Sequence, residues 1–221
     1  MEFRVLGPVR ATDADGEVPL GGPRQRRLLA VLLLGEGRVV SIDRIVEAVW
    51  GEEQPPAGAA RTALSYVSRL RTALGDGYVS TRDEGYLLDR RDATVDGERF
   101  TALVRAAGQA PPGRALPQLD EALALWGGRA FGDLADEDWC RPAATRLEEL
   151  RLVALEARVQ ARLLRAQAID DFWRGANEAL CRTFDRTHAA TCRSAQRLGH
   201  ALARQRAGRQ PELNPPSRPN P

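Results

Sequence analysis

The chain has 221 residues, and its basic residues are 32 arginines without a single lysine, set against 30 acids for a net charge of +2. That length allows two modest domains with cores of their own. The near balance of charge excludes a chain that is basic throughout, so affinity for a polyanion would have to sit in a local patch.

Phe3 to Leu6 and Val9 to Thr12 read as short strands, with a turn at Asp13 to Gly16. Pro23 suits a first helical turn, and a leucine-rich helix is predicted from Arg24 to Leu34, ending near Gly35 and Gly37. Ser41 is a suitable N-cap with Asp43 in the turn behind it. Ile42, Ile45, Val46, Val49 and Trp50 then repeat at the spacing of a core-facing helix. A third helix follows. Its apolar stripe is predicted as Ala60, Ala63, Leu64, Val67, Leu70 and Leu74. Arg61, Ser65, Ser68 and Thr72 fall on the opposite face, with Arg69 and Arg71 at its edges and no acid among them. Arginine grips phosphate and reads guanine edges, and hydroxyls bond either, so this face suits a DNA major groove. The same face also reads as an ordinary solvated helix surface. Tyr78 to Arg82 and Tyr86 to Asp89 flank a turn at Asp83-Glu84-Gly85, a hairpin. Three helices and a hairpin, with strands in front, make the winged variant of helix-turn-helix.

The second half is helical. Phe100, Leu103, Val104 and Ala107 form one amphipathic face; Leu116, Leu119, Leu123 and Trp126 form another. After an acidic link, Asp133 to Asp138, a long helix runs through Leu147 to Arg151 with two apolar stripes. One is Leu147, Leu150, Ala154, Ala157, Ala161 and Leu164; the other is Leu152, Leu155, Val159 and Leu163. Such a helix is expected to lie between neighbours. The expected fold is mostly α with small β-sheets. The expected divisions are a winged helix over 1–92, a helical domain over 93–184 and a tail over 185–221.

In this order and spacing, Gly22-Pro-Arg-Gln-Arg-Arg-Leu-Leu29, Val49-Trp-Gly51, Arg61-Thr62, Tyr66-Val-Ser-Arg-Leu-Arg71 and Gly85-Tyr86 resemble the OmpR-type winged helix of the SARP family of antibiotic regulatory activators. The second half, with Ala122-Leu-Ala-Leu-Trp-Gly127 and Leu147-Glu-Glu-Leu-Arg151, resembles the bacterial transcriptional activation domain, an all-helical, tetratricopeptide-like module. The resemblance implies a transcriptional activator that binds direct repeats in double-stranded DNA as a homodimer and recruits RNA polymerase holoenzyme, for a secondary-metabolite gene cluster. It implies DNA contacts from Arg61, Thr62, Ser65, Arg69 and Arg71, a wing arginine in Arg82, and a polymerase-facing loop with Glu52, Glu53 and Gln54. Asp83 and Glu84 at the wing tip depart from a phosphate-binding pattern. An open alternative is a helical protein-interaction module with weakened DNA binding.

The resemblance fades after about Ala166. Residues 168 to 221 hold both histidines, all three asparagines and two of three cysteines. They carry nine arginines against five acids. A reading-frame change and simple divergence both fit this shift. Ile169, Phe172, Trp173, Ala176, Leu180 and Phe184 keep a helical period, whereas Gly208 to Pro221, with five prolines, is expected to be disordered. Cover for the long helix then looks incomplete, and one of its stripes is expected to stay bare. Cys181, His188, Cys192 and His200 match no common metal module, so neither metal nor cofactor is expected. A Cys–His enzyme has no recognisable nucleophile arrangement here, so no catalysis is expected either. The start lacks a signal peptide pattern, Leu28 to Leu34 is too short to span a membrane, and Cys140, Cys181 and Cys192 make no disulfide framework. A soluble cytoplasmic protein, away from membranes, is expected.

Overall fold

A computed structural model of the chain describes residues 1–51, 53–75, 77–83, 85–90, 92–183 and 196–204. Residues 1–161 form one compact unit; the second unit starts at Arg162.

The chain opens with β1 (Glu2–Arg4), β2 (Arg10–Asp13) and β3 (Gly16–Glu17), which pair antiparallel in sequence. Phe3 faces inward opposite Ala11, and both are fully buried. The first strand stops two residues before its apolar run does. The amides of Val5 and Leu6 are turned to the carboxylate of Asp96, at 2.7 and 3.2 Å, instead of to a strand. On its other edge β1 pairs in parallel with β7 (Thr94–Val95), a two-residue strand that the periodicity did not reveal.

Between these strands lie α1 (Pro23–Leu34), α2 (Ile42–Trp50) and α3 (Ala59–Leu74). Ser41 caps α2, its hydroxyl accepting the Arg44 amide at 3.3 Å. Gly51 ends α2 with φ +59°, and a Cβ there would lie 2.5 Å from the Arg27 guanidinium. In α3 the buried stripe is Ala59, Ala63, Val67, Leu70 and Leu74. Periodicity puts Ala60 and Leu64 in the stripe, yet both are exposed, Leu64 by 46%. They lie about 100° further round the helix than Ala59 and Ala63, and α1 and α2 cover only the narrower row.

The hairpin is β5 (Val79–Arg82) and β6 (Gly85–Leu88), and β4 (Val40–Ser41) adds a third strand on the far side of β6. Gly85 stands opposite Ser41, and a Cβ on it would meet the Val40 carbonyl oxygen at 2.3 Å. Only glycine permits so close a pairing. The arrangement is a winged helix-turn-helix.

The helical half comprises α4 (Asp96–Gln109), α5 (Pro112–Ala124), a 3-10 turn at Gly132–Asp136, and α6 (Arg141–Thr183). A two-residue link makes α4 and α5 a helical hairpin. Their facing side chains Phe100, Val104, Leu119 and Ala122 form a core with Leu6 and Ala154. Phe100 meets Trp126 edge-on at 5.2 Å between centroids. Phe131, Leu134, Ala135, Cys140 and Ala144 instead complete the core of the winged helix. Arg27 of α1 forms an ion pair with Glu137 over the same seam.

Within residues 141–161, α6 buries Ala144, Ala154 and Ala161, with Leu147, Leu150 and Ala157 half-buried. Its other stripe is not packed between neighbours: Leu152 is 61% and Val159 56% exposed, while Leu155 is half-buried. In the second unit, α6 continues to Thr183 and residues 196–204 are helical. Leu163 and Leu164, Ile169, Phe172, Trp173 and Leu180 are exposed there. The expectation for Gly208 to Pro221 lies outside the described residues, as do Phe184, His188 and Cys192.

Candidate nucleic-acid interface

The front of α3 is built by what its back must do. Ala63, Val67 and Leu70 are pinned in the core, which turns Arg61, Ser65 and Arg69 to solvent. The helix contains no acid, and neither Arg61 nor Arg69 has an ion-pair partner among the described residues. Thr62 is half-buried, and its hydroxyl points to the Gly58 carbonyl at 3.5 Å. The Ser65 hydroxyl donates to the Thr62 carbonyl at 2.7 Å. Both hydroxyls spend their proton on the helix and keep their lone pairs for an incoming donor.

Arg71 is placed differently. It is half-buried and donates from Nε to the Val79 carbonyl at 2.8 Å and from Nη2 to Thr81 Oγ1 at 2.7 Å. Arg82, at the end of β5, is exposed beside Asp83, whose φ of +45° forms the tip of the turn. Glu84 lies outside the described residues.

The loop into α3 is exposed from Glu53 to Gly58. Glu52 lies outside the described residues. Glu53 pairs with Arg24 at 2.8 Å, and the Arg24 guanidinium lies 5.6 Å over the Trp50 ring. Hydrogen bonding to Tyr66 and then to Glu53 raises the Arg24 pKa above its ordinary value. The start of α1 thereby holds the loop against the end of α2. Gln54 is exposed next to this clasp.

Two anchoring residues escaped the sequence reading. Asp96, 3% exposed, joins the first turn of α4 to the segment that follows β1. Burial raises its carboxyl pKa, against the opposing pull of the Val5, Leu6 and Gly97 amides. Its only sequence signal is an acid at a helix start, which many exposed helices share. Glu137 belongs by sequence to an acidic link, whereas in the fold it pairs with Arg27. Cys140 is fully buried, and burial pushes its thiol up to about 12, so it stays protonated at neutral pH. His200 is exposed. Among the described residues no group of three or more His, Cys, Asp or Glu gathers to hold a metal. Among them, too, no helix is long and apolar enough to cross a membrane.

Comparison with known proteins agrees with this architecture. Residues 16–88 match the family described as transcriptional regulatory protein, C terminal, and residues 95–210 match the bacterial transcriptional activator domain. The transcriptional regulatory protein EmbR of Mycobacterium tuberculosis is 37% identical over 181 residues, covering 76% of this chain and 46% of EmbR. The transcriptional regulator RedD of Streptomyces coelicolor is 34% identical over 183 residues, covering 76% of this chain and 52% of RedD. The regulatory protein AfsR of the same organism is 38% identical over 165 residues, 72% of this chain and 16% of AfsR. The structure of Mycobacterium tuberculosis EmbR in complex with a low affinity phosphopeptide superposes with a TM-score of 0.67 at 33% identity, over 94% of this chain and 56% of that one. The chain thus spans about half the length of EmbR and RedD. With its OmpR-type winged helix followed by a bacterial transcriptional activator domain, the chain belongs to the SARP family of transcriptional regulators.

Proposed function

We propose that the chain is a sequence-specific transcriptional activator that inserts α3 into the major groove of double-stranded DNA. The observation that carries this reading is the acid-free front of α3, where Arg61 and Arg69 stand exposed and without ion-pair partners among the described residues. Arg61 lies near the N-terminal end of the helix, the end that reaches base edges in helix-turn-helix docking. Thr62 and Ser65 offer acceptor lone pairs beside it, and Arg82 on the wing faces the neighbouring backbone. Two protomers bind in tandem on direct repeats about one helical turn apart, so that both meet the same face of the duplex. The loop with Glu52, Glu53 and Gln54 faces RNA polymerase. Of these, Glu53 is held by Arg24, and Gln54 is exposed. The regulated genes belong to secondary metabolism, and the protein works in the cytoplasm.

Footprinting and run-off transcription with the purified chain test both parts. Arg61→Ala should cost about 1–3 kcal/mol at one base pair and flatten the preference there. Equal losses on cognate and random duplexes would remove the base-reading role. Replacing Glu53 and Gln54 by alanine should lower transcription while the footprint stays intact; unchanged transcription would move the activating surface elsewhere.

A further inference from the structure

One side chain of α3 reaches both strands of the wing. The Arg71 guanidinium bonds Val79 and Thr81 on β5 and lies 5.5 Å over the Tyr86 ring on β6. Thr81 and Tyr86 are direct partners across the hairpin. A hairpin of two four-residue strands is marginal by itself, and β4 supports it with only two residues. Val79 and Leu88 fix its base in the core, so it is the orientation of its outer half that depends on further links to the helix beside it. Arg71 supplies such a link through a rigid planar fork with donors in two directions and a flat face for the ring. Arg61 and Arg69, on the same helix, make no comparable protein contact among the described residues.

We infer that Arg71 is a positioning residue: it sets the wing against α3, and so places Arg82 relative to the groove that Arg61 and Arg69 enter, instead of gripping a phosphate itself. This rests on the DNA-binding reading above. The two roles differ in what they require. A phosphate contact needs a positive charge, which lysine also provides. The link to the wing needs Nε and Nη2 in a fixed plane with the ring stacked beneath, which an ammonium on a flexible stem cannot supply.

The test uses the whole chain and a duplex bearing its footprinted site, with wild type, Arg71→Lys, Arg82→Ala and the double variant. Arg71→Lys should weaken binding roughly tenfold, a loss on the scale of a charge-assisted hydrogen bond. The double variant should bind no worse than Arg82→Ala alone, because the wing arginine is already gone. In the free protein, Arg71→Lys should speed amide exchange at Ser80 and Leu87, which are paired across the hairpin, while the amides of Val67 and Leu70 keep their protection. Wild-type affinity for Arg71→Lys would overturn the inference, as would full addition of the two losses. If the wild-type chain shows no preference for any duplex, the DNA-binding reading falls, and the exchange result alone then decides whether Arg71 orients the wing. Unchanged exchange in Arg71→Lys would reject that role.

Discussion

α3 and α6 were read by the same periodicity, and they end differently. In α3 one apolar row is buried and the exposed front is arginine and hydroxyl. In α6 the row through Ala144, Ala154 and Ala161 is buried, but the opposite face shows Leu152, Val153 and Val159 to solvent. Periodicity fixes which residues share a face. Whether a face is covered depends on what else the chain can bring to it. Around α3 two helices and a sheet do so; on the second face of α6, the described part of residues 1–161 leaves Leu152 and Val159 exposed and covers Leu155 only in part. An exposed cationic front is a stable surface that can meet a polyanion, whereas an exposed leucine row is a surface with a tendency to associate.

The sharpest way to break this comparison is to cut equivalent side chains from the two helices. Leu70→Ala should cost about 2–5 kcal/mol in urea unfolding, because Leu70 is fully buried. Leu152→Ala should change stability by less than about 0.5 kcal/mol. Similar losses at both sites would mean that the outer face of α6 is packed in solution.

A smaller effect is expected at Asp96. Asp96→Asn keeps the size but opposes an amide donor to the Leu6 N–H, at a cost of about 1–3 kcal/mol. Burial raises the folded-state pKa of Asp96 above its ordinary value. Its protonation therefore favours the fold: that stability is complete below the unfolded pKa and is lost as pH rises through the folded one. The gap between wild type and Asp96→Asn should be widest in acid and narrow as pH rises past the carboxylate range. A gap that widens with pH would show that the amides outweigh burial.

The smallest effect on stability belongs to the outer face of α6. Leu152→Gln with Val159→Gln should leave the unfolding midpoint nearly unchanged but reduce concentration-dependent association in sedimentation. Association unaltered by the pair would clear this face of any part in it.

Much of the winged helix was legible because its signals are local. Ser41 caps the helix it precedes, and the Asp83–Gly85 turn joins adjacent strands. The front of α3 was legible for the same reason: Arg61, Ser65 and Arg69 share a face by spacing alone. What spacing does not carry is a partner distant in sequence. Nothing near Arg71 announces that its guanidinium ends on Val79 and Thr81. Nothing near Asp96 announces Val5 and Leu6, some ninety residues away. Leu64 shows a third limit: a leucine next to a buried row counts as core by period and as surface by geometry.

The parallel pairing of Glu2 with Thr94 also orders events during synthesis. β1 is made before the three helices and the hairpin, and β2 and β3 can fold onto one of its edges at once. Its other edge waits for β7, which arrives only after all three helices and the hairpin. Until then Phe3 lacks Val95 beside it, and the Val5 and Leu6 amides lack their carboxylate. A nascent chain or a proteolytic fragment ending before residue 94 therefore carries an open strand edge with free donors, a template for pairing with another chain. Pairings this distant also slow folding. The short β7 strand thus acts as the latch that withdraws the first strand from intermolecular contact.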